Sequence, residues 1–207
     1  MYSFLAIILV LVGIALLLVF FVVMFRQPRL DKETAVLDDV ARKWEGKIDQ
    51  NEHGSFFNFV YGGAKVTVAN MWTRFEKPIR YSKVRIGGVF ENIQPITIIV
   101  HDPVIPLETL SCGDPEVVID DAYFRRMFFT QSQDSDFTHK LLGPRLRRSL
   151  VRYVSHKPVI KIQADSIEVS FYRQPSTEKE YDSLIDMALA THDLLKELKR
   201  LQEKKFL

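Results

Sequence analysis

Four arginines fall within one short stretch of this chain, at Arg145, Arg147, Arg148 and Arg152. Spacings of three and four put Arg145, Arg148 and Arg152 on one side of a helix, with Leu146, Leu150, Tyr153 and Val154 on the other. A guanidinium is a planar fork that matches carboxylates and phosphates. An amphipathic basic helix of this kind faces anionic lipid headgroups or another phosphate-bearing partner. Each cation near an anionic lipid surface is worth ~1 kcal/mol. The competing reading is a solvated face over a buried leucine stripe, with some arginines paired inside the chain. The arginines belong to a wider segregation of charge. Phe137 to Ala164 carries Lys140, Arg145, Arg147, Arg148, Arg152, Lys157 and Lys161 without Asp or Glu. Ile86 to Ala122 carries Glu91, Asp102, Glu108, Asp114, Glu116, Asp120 and Asp121 without Lys or Arg.

The acidic block offers a different chemistry. Asp114, Glu116, Asp120 and Asp121 are the carboxylates on which a hydrolase reading would rest, as metal ligands or as an acid and base pair. Their spacing matches no calcium-binding loop. His101 and Asp102 are neighbours and point to opposite faces of an extended chain. The remaining histidines, His53, His139, His156 and His192, show no spacing of zinc ligands. The single Cys112 excludes an intrachain disulfide. The pairs Gly62-Gly63 and Gly87-Gly88 lack a phosphate-loop framework and read as turns. No catalytic residue, metal site or cofactor is assigned. The last candidate is a stripe of Leu184, Ala188, Leu195 and Leu198, which packs on the chain's own sheet or meets a partner helix.

The 207 residues carry 28 Lys plus Arg against 26 Asp plus Glu, a net charge of +2. That near-balance argues against a nucleic-acid binder. No charged side chain occurs from Met1 to Phe25, and Phe4–Phe25 is apolar except for Gly13. As a helix this stretch would span ~33 Å, against ~30 Å of bilayer hydrocarbon. The sequence therefore predicts a retained single-pass anchor over 1–25, a juxtamembrane linker over 26–30 and one domain over 31–207. Arg26, Arg29, Lys32, Arg42 and Lys43 follow the span, so the positive-inside rule places the domain in the cytoplasm.

The elements that must hold these residues follow from periodicity. Val36, Leu37, Val40, Ala41, Trp44 and Ile48 predict a helix over 32–48, capped by Asp31. Ser55–Tyr61 and Ala64–Met71 flank Gly62-Gly63 as a hairpin. Strands are expected over Ile79–Ile86, Ile96–Val100 and Tyr123–Thr130. Helices follow over Phe137–Leu142 and from Pro144 to about His156. A second hairpin pairs Val159–Ile162 with Ile167–Tyr172. Thr177 and Glu180 form a capping box that opens a long C-terminal helix. The fold class is α+β, with a mostly antiparallel sheet, flanking helices and that long helix behind a transmembrane segment. The functional expectation is a membrane-anchored binding or scaffold protein. The alternatives are a tethered hydrolase and an accessory subunit of a membrane protein complex.

Overall fold

The computed structural model describes residues 12–18, 20, 35–51, 54–72, 79–88, 93–103, 105 and 113–203. Helix α1 covers residues 35–43. Three strands follow: β1 (Asp49–Asn51), β2 (Gly54–Tyr61) and β3 (Ala64–Trp72). Next come β4 (Arg80–Gly87), β5 (Ile96–Val100), α2 (Ala122–Met127) and β6 (Phe128–Ser132). Helices α3 (Ser135–Leu141) and α4 (Pro144–Arg152) lead through a 3-10 turn at Val154–His156. The hairpin of β7 (Pro158–Ile162) and β8 (Ser166–Phe171) precedes α5 (Glu178–Glu203). The eight strands form one sheet in the order β1-β2-β3-β4-β8-β7-β5-β6, every paired neighbour antiparallel. The α+β class, the antiparallel sheet and the C-terminal helix are thus as expected.

The transmembrane segment is corrected. Among the described residues no helix is long and apolar enough to cross a membrane. Residues 12–18 are helical. The rest of Phe4–Phe25, apart from Phe20, lies outside the described residues, as do the 26–30 linker and the Asp31 cap. The single-pass anchor, its bilayer contact and the cytoplasmic placement derived from it are not carried forward.

Alternation along the strands builds the core. Phe57, Val68, Val84, Val169, Ile160 and Ile98 stand opposite one another across β2-β3-β4-β8-β7-β5, and each is fully buried. Helix α1 lays Leu37, Val40 and Ala41 into this core, and α5 adds Tyr181, Leu184, Ile185 and Ala188. One polar cluster sits within this packing: Ser82 Oγ and Tyr181 Oη both donate to Asn70 Oδ1, at 2.6 and 2.7 Å. The first hairpin turns on Gly62 and Gly63, both at positive φ (56° and 82°), which a primed turn requires. Strand β5 is buried on both faces, as its unbroken apolar run predicts.

Two local expectations need revision. Helix α1 stops at residue 43, because Glu45 turns left-handed (φ 56°) and the Gly46 amide closes on Ala41 O at 2.8 Å. Tyr123–Thr130 is half helix and half strand. Asp121 accepts from the Phe124 amide at 3.0 Å and so nucleates α2, in which Phe124 stacks on Phe128 at 4.7 Å. The capping box that opens α5 is formed as expected: the Glu180 amide donates to Thr177 Oγ1, and the Glu180 carboxylate accepts from the backbone amides of Thr177 and Ser176, the latter at 2.6 Å.

Candidate functional site

Helix α4 begins with Pro144 at its first turn, where a missing amide costs nothing. Leu146 and Leu150 are buried, which fixes the rotation of the helix. That rotation leaves Arg145, Arg148 and Arg152 exposed together. Arg148 Nε donates to Pro144 O at 3.1 Å, and the Arg152 guanidinium lies 5.5 Å from the Tyr153 ring centroid. Among the described residues none of these three meets a carboxylate. Arg147 differs: it reaches Asp121 Oδ2 at 2.7 Å and is only 21% exposed. The neighbouring α2 adds exposed Arg125 and Arg126. The basic and acidic blocks also meet at Lys157, whose ammonium lies 3.1 Å from Asp102. Charge segregation is therefore partly spent on internal pairing, while the α4 face stays free.

The acidic residues are dispersed by use. Asp121 caps α2 with one oxygen and holds Arg147 with the other. Asp114 accepts from Gln133 Nε2 at 2.8 Å, and Glu116 pairs with Gln131 beside the sheet edge. His101 lies against Phe129, and His139 is exposed on α3. No hydrogen bond or ion pair among the described residues joins these histidines to Asp114, Glu116, Asp120 or Asp121. Among the described residues no group of three His, Cys, Asp or Glu is placed to hold a metal. Cys112 lies outside the described residues.

Two other histidines do contact carboxylates. His192 Nδ1 is 3.1 Å from Asp193, which also accepts from Tyr61 Oη at 2.9 Å. That hydrogen bond raises the Tyr61 pKa above its ordinary value. The His192 side chain is 2% exposed, so no substrate reaches its ring. His156 stacks on Phe171 at 5.0 Å and lies 3.9 Å from Glu180. Burial lowers its pKa, aided by Arg173 and opposed by Glu180. The α5 stripe is spent internally. Leu184, Ala188 and Leu195 are buried in the chain's own core, and Leu198 packs against it. It offers no face to a partner helix.

The sequence reading missed a second cationic surface, on the face of β2, β3 and β4 turned away from the core. Lys65 and Thr67 alternate with Val66 and Val68, and Lys83 and Arg85 with Val84 and Ile86. Period-two alternation carried that signal. In sequence that alternation places each cation on a face, but not beside the others, because strand register is a long-range property.

No protein-family model matches the chain, and no curated protein matches it by sequence. Among solved structures it is similar in fold to the mycobacterial trehalose monomycolate transport factor A, TtfA. The TM-score is 0.56 at 8% identity, over 79% of this chain and 94% of that one. At that identity the likeness concerns the fold alone.

Proposed function

We propose that this α+β domain is a non-catalytic binding or scaffold module that docks an acidic face of a partner protein through Arg145, Arg148 and Arg152. One observation carries the reading. The three guanidinium groups share an exposed face without a carboxylate partner among the described residues, on a helix locked by buried Leu146 and Leu150. A rigid row of forked donors suits carboxylates presented by another folded surface. Anionic lipid headgroups are the weaker partner. The apolar side of α4 is used by the core, leaving it nothing to insert.

A second reading, an accessory subunit of a transport assembly, draws support from the fold shared with TtfA over 94% of that chain. It concerns the role alone, without the cargo in that protein's name. Both readings are tested by isolating the full chain from its own cells under mild detergent extraction. The expected result is a stoichiometric partner that contacts α4 through acidic residues and is lost when Arg145, Arg148 and Arg152 are changed to Glu. A partner retained by the triple variant would overturn the docking site. A partner-free chain that sediments with phosphatidylglycerol vesicles would move the function to lipid.

A further inference from the structure

The face of the sheet opposite the core holds a cleft of about 270 Å³. Its lining includes Phe56 and Asn58 of β2, Lys65 and Thr67 of β3, and Lys83 and Arg85 of β4. Register sets the spacing of the three cations. Arg85 stands opposite Thr67, so Lys65 and Arg85 are diagonal neighbours, with backbones ~7–8 Å apart. Lys83 and Arg85 are alternate residues of one strand, ~7 Å apart. Lys83 stands opposite Ala69, four residues along β3 from Lys65, so the cations form a row with Arg85 in the middle, and Lys65 and Arg85 can hold one tetrahedral anion between them.

The charges on this face do not cancel. Glu168 is shared between Lys83, at 3.7 Å, and Arg85, at 3.6 Å. Arg85 also meets Asp165 at 3.3 Å, but that carboxylate is 71% exposed. Lys65 has no carboxylate partner among the described residues. The next cation in the row, Lys161, stands opposite Glu168. Burial lowers its pKa below the ordinary lysine value, with Glu168 opposing that effect and Lys83 adding to it. Lys65, Lys83, Arg85 and Lys161 outnumber the carboxylates of Glu168 and Asp165 on this face. The rest of the lining is mixed. Thr67 Oγ1 donates to Asn58 Oδ1 at 2.6 Å, which orients the Asn58 amide and leaves its nitrogen as a donor. Half-buried Phe56 supplies a flat apolar wall.

We propose that this cleft binds a small, free phosphate ester of a polyol, such as a sugar phosphate. The phosphate lies between Lys65 and Arg85, and the hydroxylated body lies against Asn58 and Phe56. The site is separate from α4 and stands whether or not α4 docks a protein.

The test is calorimetric titration of the full chain with glucose 6-phosphate, inorganic phosphate and glucose, beside co-sedimentation with phosphatidic acid vesicles. Glucose 6-phosphate is expected to bind saturably at millimolar concentration or below. Inorganic phosphate competes with it, and glucose alone does not bind. Lys65→Gln and Arg85→Gln each weaken binding tenfold or more, while Arg148→Gln on α4 leaves it unchanged. Lys65 is exposed, so its variant keeps the native melting temperature and separates binding from folding. Absence of saturable glucose 6-phosphate binding would overturn the proposal. So would binding insensitive to Lys65→Gln, or binding to phosphatidic acid vesicles alone.

Discussion

Asp121 separates a structural acidic loop from a catalytic one. One of its oxygens accepts from the Phe124 amide at 3.0 Å, and the other holds Arg147 at 2.7 Å. Asp121→Ala removes both interactions. Loss of the cap costs ~1 kcal/mol. The ion pair joins side chains 34% and 21% exposed, so its loss lies between a surface pair and a buried charged hydrogen bond, about 1–2 kcal/mol. The sum of ~2–3 kcal/mol corresponds to a fall in melting temperature of roughly 5–10 °C for a domain of this size. Asp121→Asn keeps the capping oxygen and loses only the charge, so about 1 kcal/mol is expected. Urea unfolding of Asp121→Asn, Arg147→Met and the double variant closes a cycle whose coupling should be ~1 kcal/mol. If Asp121→Ala stayed within ~0.5 kcal/mol of the native chain, this reasoning would fail, and the carboxylate would again be available for chemistry.

Other expectations follow from the packing. Leu184→Ala, at a fully buried site, should cost ~2–5 kcal/mol in denaturant unfolding; a near-neutral result would return the α5 stripe to partner binding. Asn70→Leu leaves the Ser82 and Tyr181 hydroxyls without their shared acceptor, and a loss of about 2–4 kcal/mol is expected. Equal stability would show that the cluster contributes nothing. His156 is held below its ordinary pKa of 6.5 chiefly by burial. The unfolded chain then binds the proton more readily, so stability declines as pH falls below that value and levels off beneath the folded pKa. His156→Gln should flatten that part of a melting-temperature profile, and an unchanged profile would refute the assignment.

Local elements were legible where one physical signal dominated. The Gly62-Gly63 turn, the unbroken apolar run of β5 and the amphipathic pattern of α4 each fixed an element, and in α4 the exposed face as well. Alternation misled at Tyr123–Thr130. Phe124 and Phe128 share a face at both helical and strand spacing, and the deciding contact was the Asp121 cap. The insertion of β8 between β4 and β7 depends on long-range pairing that no local pattern records. The arginine triplet was visible at once, whereas its division from Arg147 required the position of Asp121. Lys65 is far in sequence from Lys83 and Arg85, and only register brings it beside Arg85.

The central claim is that the α4 face is where this domain meets its partner. A photo-crosslinking residue placed at Arg148 in the full chain, within its native cells, tests this directly. The account predicts crosslinks to a single protein at a segment rich in Asp and Glu, and none from the same probe at exposed Glu197 on α5. Crosslinks from Glu197 with silence at Arg148 would contradict it.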